Sequence, residues 1–182
     1  MICGHGVVFM LKALVVVDYQ YDFVKGSLGF PEAEQIEDSI AEKIKKAKAE
    51  GDDVYFTLDC HDENYLSTQE GRNLPIEHCC TEKGRALYGR VAELSEGSPK
   101  FMKKTFGSIH LSYEIAKKPY DEVEVCGVMT NICVVADAVL IKTVLPEAKI
   151  VVDARCVATN DAKLREETFD VMQSLQISVI NR

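Results

Sequence analysis

Residues 12–180 predict an α/β protein of three layers, a doubly wound and mostly parallel sheet flanked by helices. Two observations carry this. Short β-branched runs recur along the chain, and most of them are continuous rather than alternating, as suits strands buried on both faces. Helical periodicity fills most of the gaps between them, the pattern of strand–helix–strand crossovers.

In chain order, Leu14–Val17 reads as the first strand and ends at Asp18. Pro31 to Glu50 reads as a helix, with Ile36, Ile40, Ile44 and Ala47 on one face and Gly51 as its C-terminal stop. Asp53–Leu58 reads as a strand ending at Asp59. Residues 61–103 carry Gly71, Pro75, Gly84, Gly89, Gly97 and Pro99, so they read as a long functional loop or a run of short helices. Glu122–Gly127 is a strand, and Asn131–Leu145 an apolar helix stopped by Pro146. Lys149–Val152 is a strand ending at Asp153, Asn160–Leu175 an amphipathic helix, and Ser178–Ile180 a last short strand.

The 182 residues fit one domain, 1–182, and Met10 is a second candidate start that leaves residues 1–9 as an upstream extension. A formal charge of −8 argues against nucleic-acid or anionic-membrane partners. No apolar run approaches the length of a membrane span. Seven cysteines without a secretory pattern fit free thiols in a reducing, cytoplasmic setting.

In open α/β sheets ligands gather beyond the carboxyl ends of the strands. The strand assignments place Asp18, Asp59 and Asp153 there, with the segment Val128 to Cys133 after another strand. Cys133 falls at a helix start, where the thiolate is favoured and free N–H groups suit an oxyanion; a buried apolar thiol fits the same position. Asp59 and His61, two apart, suit one metal ion, with His78 and Glu70 able to join; solvated loop polarity is the plainer alternative. Phe23 and Tyr21 suit either the wall of an aromatic pocket or core packing. Lys103 and Lys104 alone read as a surface turn.

Five segments in one order resemble the isochorismatase-like cysteine hydrolases, and their nicotinamidase branch in particular. They are VVVDYQYDF (15–23), FTLDCHDEN (56–64), LPIEHC (74–79), KKTFGS (103–108) and GVMTNICV (127–134). The resemblance implies the isochorismatase-like hydrolase fold and a catalytic triad of Asp18, Lys103 and Cys133. Lys103 is selected over Lys104 because it stands three residues before Phe106. It also implies a cis peptide between Val128 and Met129, and an oxyanion hole from the Met129 and Cys133 amides. Asp59, His61 and His78, with Glu70 as a fourth ligand, match the family's metal set, which implies a divalent ion: Zn²⁺ first, Fe²⁺ or Mn²⁺ as alternatives. The implied activity is cleavage of a small aromatic amide, nicotinamide first, through a Cys133 thioester. The alternatives are an N-carbamoyl amide or isochorismate-type substrate, or a non-catalytic ligand-binding member; isochorismatases generally lack the cysteine. A homo-oligomer is the family expectation. Two departures bear on the substrate. The chain has no tryptophan, where many nicotinamidases carry Trp-Pro, and Asn64 and Tyr65 stand where a further histidine is often found.

Overall fold

A computed structural model describes residues 10–182; the proposed extension 1–9 lies outside the described residues. Six strands form one sheet: β1 (Lys12–Val17), β2 (Asp53–Asp59), β3 (Lys100–Lys103), β4 (Glu122–Val128), β5 (Lys149–Ala158) and β6 (Ser178–Ile180). Their spatial order is β3-β2-β1-β4-β5-β6, and every pairing is parallel, so the sheet is wholly rather than mostly parallel. From β1 at the centre the chain builds outward through β2 to β3, then returns to the other side of β1 with β4. The sheet therefore reverses direction between β1 and β4, where loops diverge and leave a crevice.

Nine α-helices are described: α1 (Tyr21–Val24), α2 (Pro31–Gln35), α3 (Glu37–Glu50), α4 (Gln69–Asn73), α5 (Glu82–Arg85), α6 (Gly89–Leu94), α7 (Ile109–Ile115), α8 (Val135–Val144) and α9 (Ala162–Ser174). The β1 side chains alternate between two cores. Ala13, Val15 and Val17 pack with Leu111 and Ile115 of α7, Ala138 and Ile141 of α8, and Phe169 and Met172 of α9. Leu14 and Val16 pack with Phe23 of α1, Ala33 of α2, Ile40 and Ile44 of α3, and Val91 of α6. Both faces of the strand are thus apolar and covered, which is why it reads as an unbroken run. No helix among the described residues is long and apolar enough to cross a membrane.

Four local expectations need correction. The 31–50 helix breaks at Ile36 (φ −90°, ψ −2°) into α2 and α3, and Gly51 ends α3 in the left-handed region at φ 81°. The helix expected from Asn131 begins instead with a five-residue π-helical turn, Thr130–Val134, before α8. Strand β3 and helix α7 arise where the sequence showed no clear pattern; β3 is four residues long with Met102 exposed, too short and too polar to stand out. Asp153 does not end a strand at the crevice. Strand β5 continues to Ala158, and Asp153 is wholly buried within it, neutralised by Lys43 of α3 at 2.9 Å and Arg155 at 3.0 Å. An acid stops a buried strand only if it has no partner; Lys43 supplies one.

Two glycines test the backbone. Gly127 in β4 sits at φ 113°, and a Cβ there would run into the Val17 carbonyl of β1. Gly51 also has positive φ, but a Cβ there meets nothing within 4 Å. Gly127→Ala should cost well over ~2 kcal/mol, and Gly51→Ala about 1 kcal/mol, in urea unfolding. Equal losses would contradict this register.

Candidate active site

Asp18 follows β1 with φ 46°, a left-handed conformation that a non-glycine residue adopts only when its surroundings enforce it. Here Thr57 of β2 does so: the Asp18 N–H donates to Thr57 Oγ1 at 3.2 Å, and Thr57 Oγ1 donates to Asp18 Oδ1 at 2.7 Å. Lys103, the last residue of β3, is in register with Asp59 and reaches Asp18 Oδ2 at 2.6 Å. Its Nζ also donates toward Cys133 Sγ at 3.6 Å. Asp18, Lys103 and Cys133 come together from three separate segments, all buried. The Val128–Met129 peptide, which leads into the Cys133 turn, is cis.

Burial pushes the Asp18 carboxyl above its ordinary range; Lys103 opposes this and Asp59 adds to it. Burial alone would lower the Lys103 ammonium, but Asp18, Cys133 and Asp59 outweigh it and hold Lys103 firmly protonated. The Cys133 thiol is pushed well up, first by burial and then by Asp18, with Lys103 opposing. This reverses the expectation from helix position. A helix start favours thiolate, but desolvation and a neighbouring carboxylate weigh more here. In the free site the sulfur keeps its proton, and Lys103 Nζ lies between the two groups, 3.6 Å from Cys133 Sγ and 2.6 Å from Asp18 Oδ2.

The second cluster sits beside the first. Asp59 Oδ2 lies 3.0 Å from His61 Nε2 and 3.3 Å from His78 Nε2. Glu70 Oε1 is 3.9 Å from His61 Nε2 and 3.8 Å from His78 Nε2. Donor atoms of Asp59, His61 and His78 lie within 4.8 Å of one another, all three residues buried. Two imidazoles and one or two carboxylates form a donor set that fits Zn²⁺ or a similar divalent ion. His78 Nδ1 lies 2.8 Å from the Ile76 carbonyl, which leaves Nε2 for an ion. Burial would raise the Asp59 carboxyl, but hydrogen bonds with His61 and His78, then Lys103, hold it well below its ordinary range. Tyr65, in the region of the missing histidine, packs its ring 4.6 Å from His61 and 4.8 Å from His78.

The remaining polar residues of the first motif hold this cluster in place, a role the sequence reading missed. Gln20 accepts the Asp59 N–H at 2.8 Å and donates to the Asp59 and Arg85 carbonyls, each at 2.8 Å. Asp22 accepts the Cys79 N–H at 2.7 Å, beside His78, where Cys79 has φ 50°. Arg85 donates to the His61 and Cys80 carbonyls at 3.1 and 2.6 Å. The stretch that leaves β1 and enters α1 therefore pins both ligand-bearing segments.

Between the clusters lies a cavity of about 240 Å³. Cys133, Lys103, Asp59, Glu70 and His78 form its polar side; Phe23, Leu28, Leu74, Phe106, Met129 and Ile132 form its apolar side, with Thr105, Asn131 and Asn160 at other points. Its size suits a small planar ligand. Phe23 lines it. Tyr21 does not: its ring lies 6.4 Å from Tyr88 and under Lys83 Nζ, because α1 turns it to the opposite side from Phe23.

Residues 12–182 match the family model described as the Isochorismatase domain. An isochorismatase family protein, PncA of Bacillus subtilis, is 32% identical over 143 residues, covering 71% of this chain and 78% of its own. Among solved structures, a pyrazinamidase/nicotinamidase from Streptococcus mutans aligns with a TM-score of 0.83 at 28% identity, over 93% of this chain and 99% of its own. A pyrazinamidase of Pyrococcus horikoshii in complex with zinc aligns at 0.81 and 27%, over 94% and 99%. With 171 of its 182 residues inside the family model and this fold around the crevice, the chain belongs to the isochorismatase family.

Proposed function

We propose that this protein is a cysteine amidohydrolase that converts nicotinamide, or a closely similar small aromatic amide, to the carboxylate and ammonia. The observation that carries the reading is Cys133 Sγ at 3.6 Å from a buried lysine that is itself ion-paired to Asp18, on the wall of a small, largely apolar cavity. The S. mutans and P. horikoshii structures, described as nicotinamidase and pyrazinamidase, support the substrate class.

Asp18 takes the Cys133 proton as the thiolate attacks the amide carbonyl carbon. Lys103 stays protonated throughout and offsets whichever of the two partners is negative. The oxygen of the tetrahedral adduct becomes an oxyanion, which accepts hydrogen bonds donated by the Met129 and Cys133 N–H groups. The C–N bond breaks and Asp18 returns its proton to the leaving nitrogen, which departs as ammonia. Asp18 then removes a proton from water, the hydroxyl adds to the thioester, and collapse releases the carboxylate and the thiol. The raised Asp18 carboxyl suits both halves of this cycle, since a stronger base accepts the thiol proton more readily.

Asp59, His61 and His78, with Glu70, would hold a divalent ion. Bound there, it supplies a Lewis acid that anchors a pyridine ring nitrogen and so orients the amide. Phe23, Phe106, Leu28 and Leu74, on the apolar side of the cavity, would pack against the ring of such an amide.

The purified protein should release ammonia from nicotinamide, and Cys133→Ala should remove that activity entirely. Asp18→Asn should lower kcat by at least ~10³-fold. No release by the folded, metal-loaded protein would contradict nicotinamide as substrate. Calorimetric titration of chelator-treated protein should give one zinc site, weakened at least ~100-fold by His78→Ala. Unchanged affinity in that variant would remove His78 from the ligand set. A homo-oligomer is expected to bury the open apolar hollow lined by Met102, Phe106, Ile109, Val139 and Leu140; a 20.3 kDa particle in sedimentation equilibrium would contradict it.

A further inference from the structure

Helix α8 carries a single acid, Asp137, one turn beyond Cys133, and the reaction above makes no use of it. It is 1% exposed. Oδ1 accepts the Ser108 N–H at 2.6 Å, while Oδ2 is buried with no hydrogen-bond partner among the described residues. Burial, and then the charge of Asp18, push its carboxyl up to about 7, against the pull of Ser108 and Lys103. A buried acid with one bond is costly, so its place needs a reason.

Ser108 supplies one. It is the far anchor of the short segment that leaves β3 after Lys103, and its Oγ accepts the Leu111 N–H at 3.2 Å to cap α7. The near anchor is Lys103, whose carbonyl accepts the Cys60 N–H at 2.9 Å. Between the anchors, Thr105 and Phe106 line the cavity that holds Cys133. Gly107 passes so close to α8 that a Cβ would sit 2.7 Å from Leu140 Cδ1. Phe106 is 47% exposed in the single chain, so little of the chain itself packs over the segment from outside. What ties it to α8 is the Ser108–Asp137 bond together with the Gly107 contact.

From this arrangement we infer that Asp137 is a positioning residue: by pinning Ser108 it holds Thr105 and Phe106 in the cavity wall and so sets how tightly the amide is bound. The inference rests on the amidase reading for its substrate, but not for its geometry. Asp137 touches no reacting atom, so its loss acts on binding more than on the chemical step. The role needs an acceptor oxygen and not the negative charge, because Ser108 offers an N–H.

The test compares Asp137→Ala, which removes the acceptor, with Asp137→Asn, which keeps it. Gly107→Val is the third variant; it pushes the segment away from α8 and leaves Asp137 intact. KM and kcat are measured with nicotinamide, and hydrogen exchange is followed over residues 104–108. Asp137→Ala should raise KM about tenfold and speed exchange about tenfold, the upper end of what one ordinary hydrogen bond is worth. Its kcat should stay within about threefold of wild type, as expected where only uniform binding is lost. Asp137→Asn should restore both KM and exchange, and Gly107→Val should raise KM on its own. An unchanged KM in Asp137→Ala, a kcat loss equal to the KM rise, or an Asn variant as impaired as Ala would each overturn the inference. Where the Ala variant does not fold, Gly107→Val decides, and an unchanged KM there overturns it. If the wild type does not cleave nicotinamide, the amidase reading fails first. The exchange data then decide for Asp137 alone: faster exchange in Ala with rescue by Asn supports the anchor, and unchanged exchange overturns it.

Discussion

The ion pair between Lys103 and Asp18 is the constraint on which the rest of the site depends. Both side chains are almost wholly buried and 2.6 Å apart. Such a pair contributes little net stability, because desolvating two charges offsets most of their attraction. Removing one partner, however, leaves an uncompensated charge in the interior. The sheet therefore has to bring the ends of β1 and β3 together across β2. Thr57 of β2 completes the arrangement by donating to Asp18 and by fixing its left-handed backbone. Cys133 enters this field from the other side of the reversal point, carried by the turn after β4. Lysine, carboxyl and thiol then share charges that no one of them could hold alone at that depth.

That arrangement explains why the thiol is not activated in advance. Desolvation raises both Asp18 and Cys133: it holds the thiol proton in place in the free site and makes Asp18 a stronger base for taking it. Lys103 keeps the total charge steady while it moves. Few helix starts would achieve this, since a helix end gives a thiolate without a base to receive its proton. The same stretch that supplies Asp18 supplies Gln20 and Asp22, and these fix Asp59 and the backbone beside His78. One five-residue piece of chain, 18–22, thus joins the candidate general base to the segments that carry the candidate metal ligands. A small ligand held by both ends would feel any slip in it.

Much of this was legible in the sequence, for a physical reason. β1 and β2 are central strands with both faces covered, so their runs are nearly continuous and end at acids; β4 alternates over Glu122–Val125 and is buried on both faces only from there to the Cys133 turn. Gly51 marks the end of α3 through its left-handed backbone conformation, which acts locally. The failures are equally local. β3 has too few apolar residues to declare itself, yet it carries Lys103, so the lysine reads as surface until the edge strand is known. Asp153 resembles a strand end because its partner, Lys43, lies 110 positions earlier in the chain. Tyr21 and Phe23 look equivalent as pocket walls, and only the one turn of α1 separates the ring in the cavity from the ring against Tyr88. The Asp137–Ser108 bond joins residues 29 apart, with nothing in either local pattern to announce it.

The central claim is that Cys133 forms a covalent acyl intermediate. It is tested most directly by mixing enzyme with excess nicotinamide, quenching in acid during turnover, and mapping the adduct by peptide mass spectrometry. The account predicts a nicotinoyl group on the peptide that contains Cys133 and on no other cysteine peptide. Turnover with no acyl group on that peptide, or with the group on another of the seven cysteines, would contradict it.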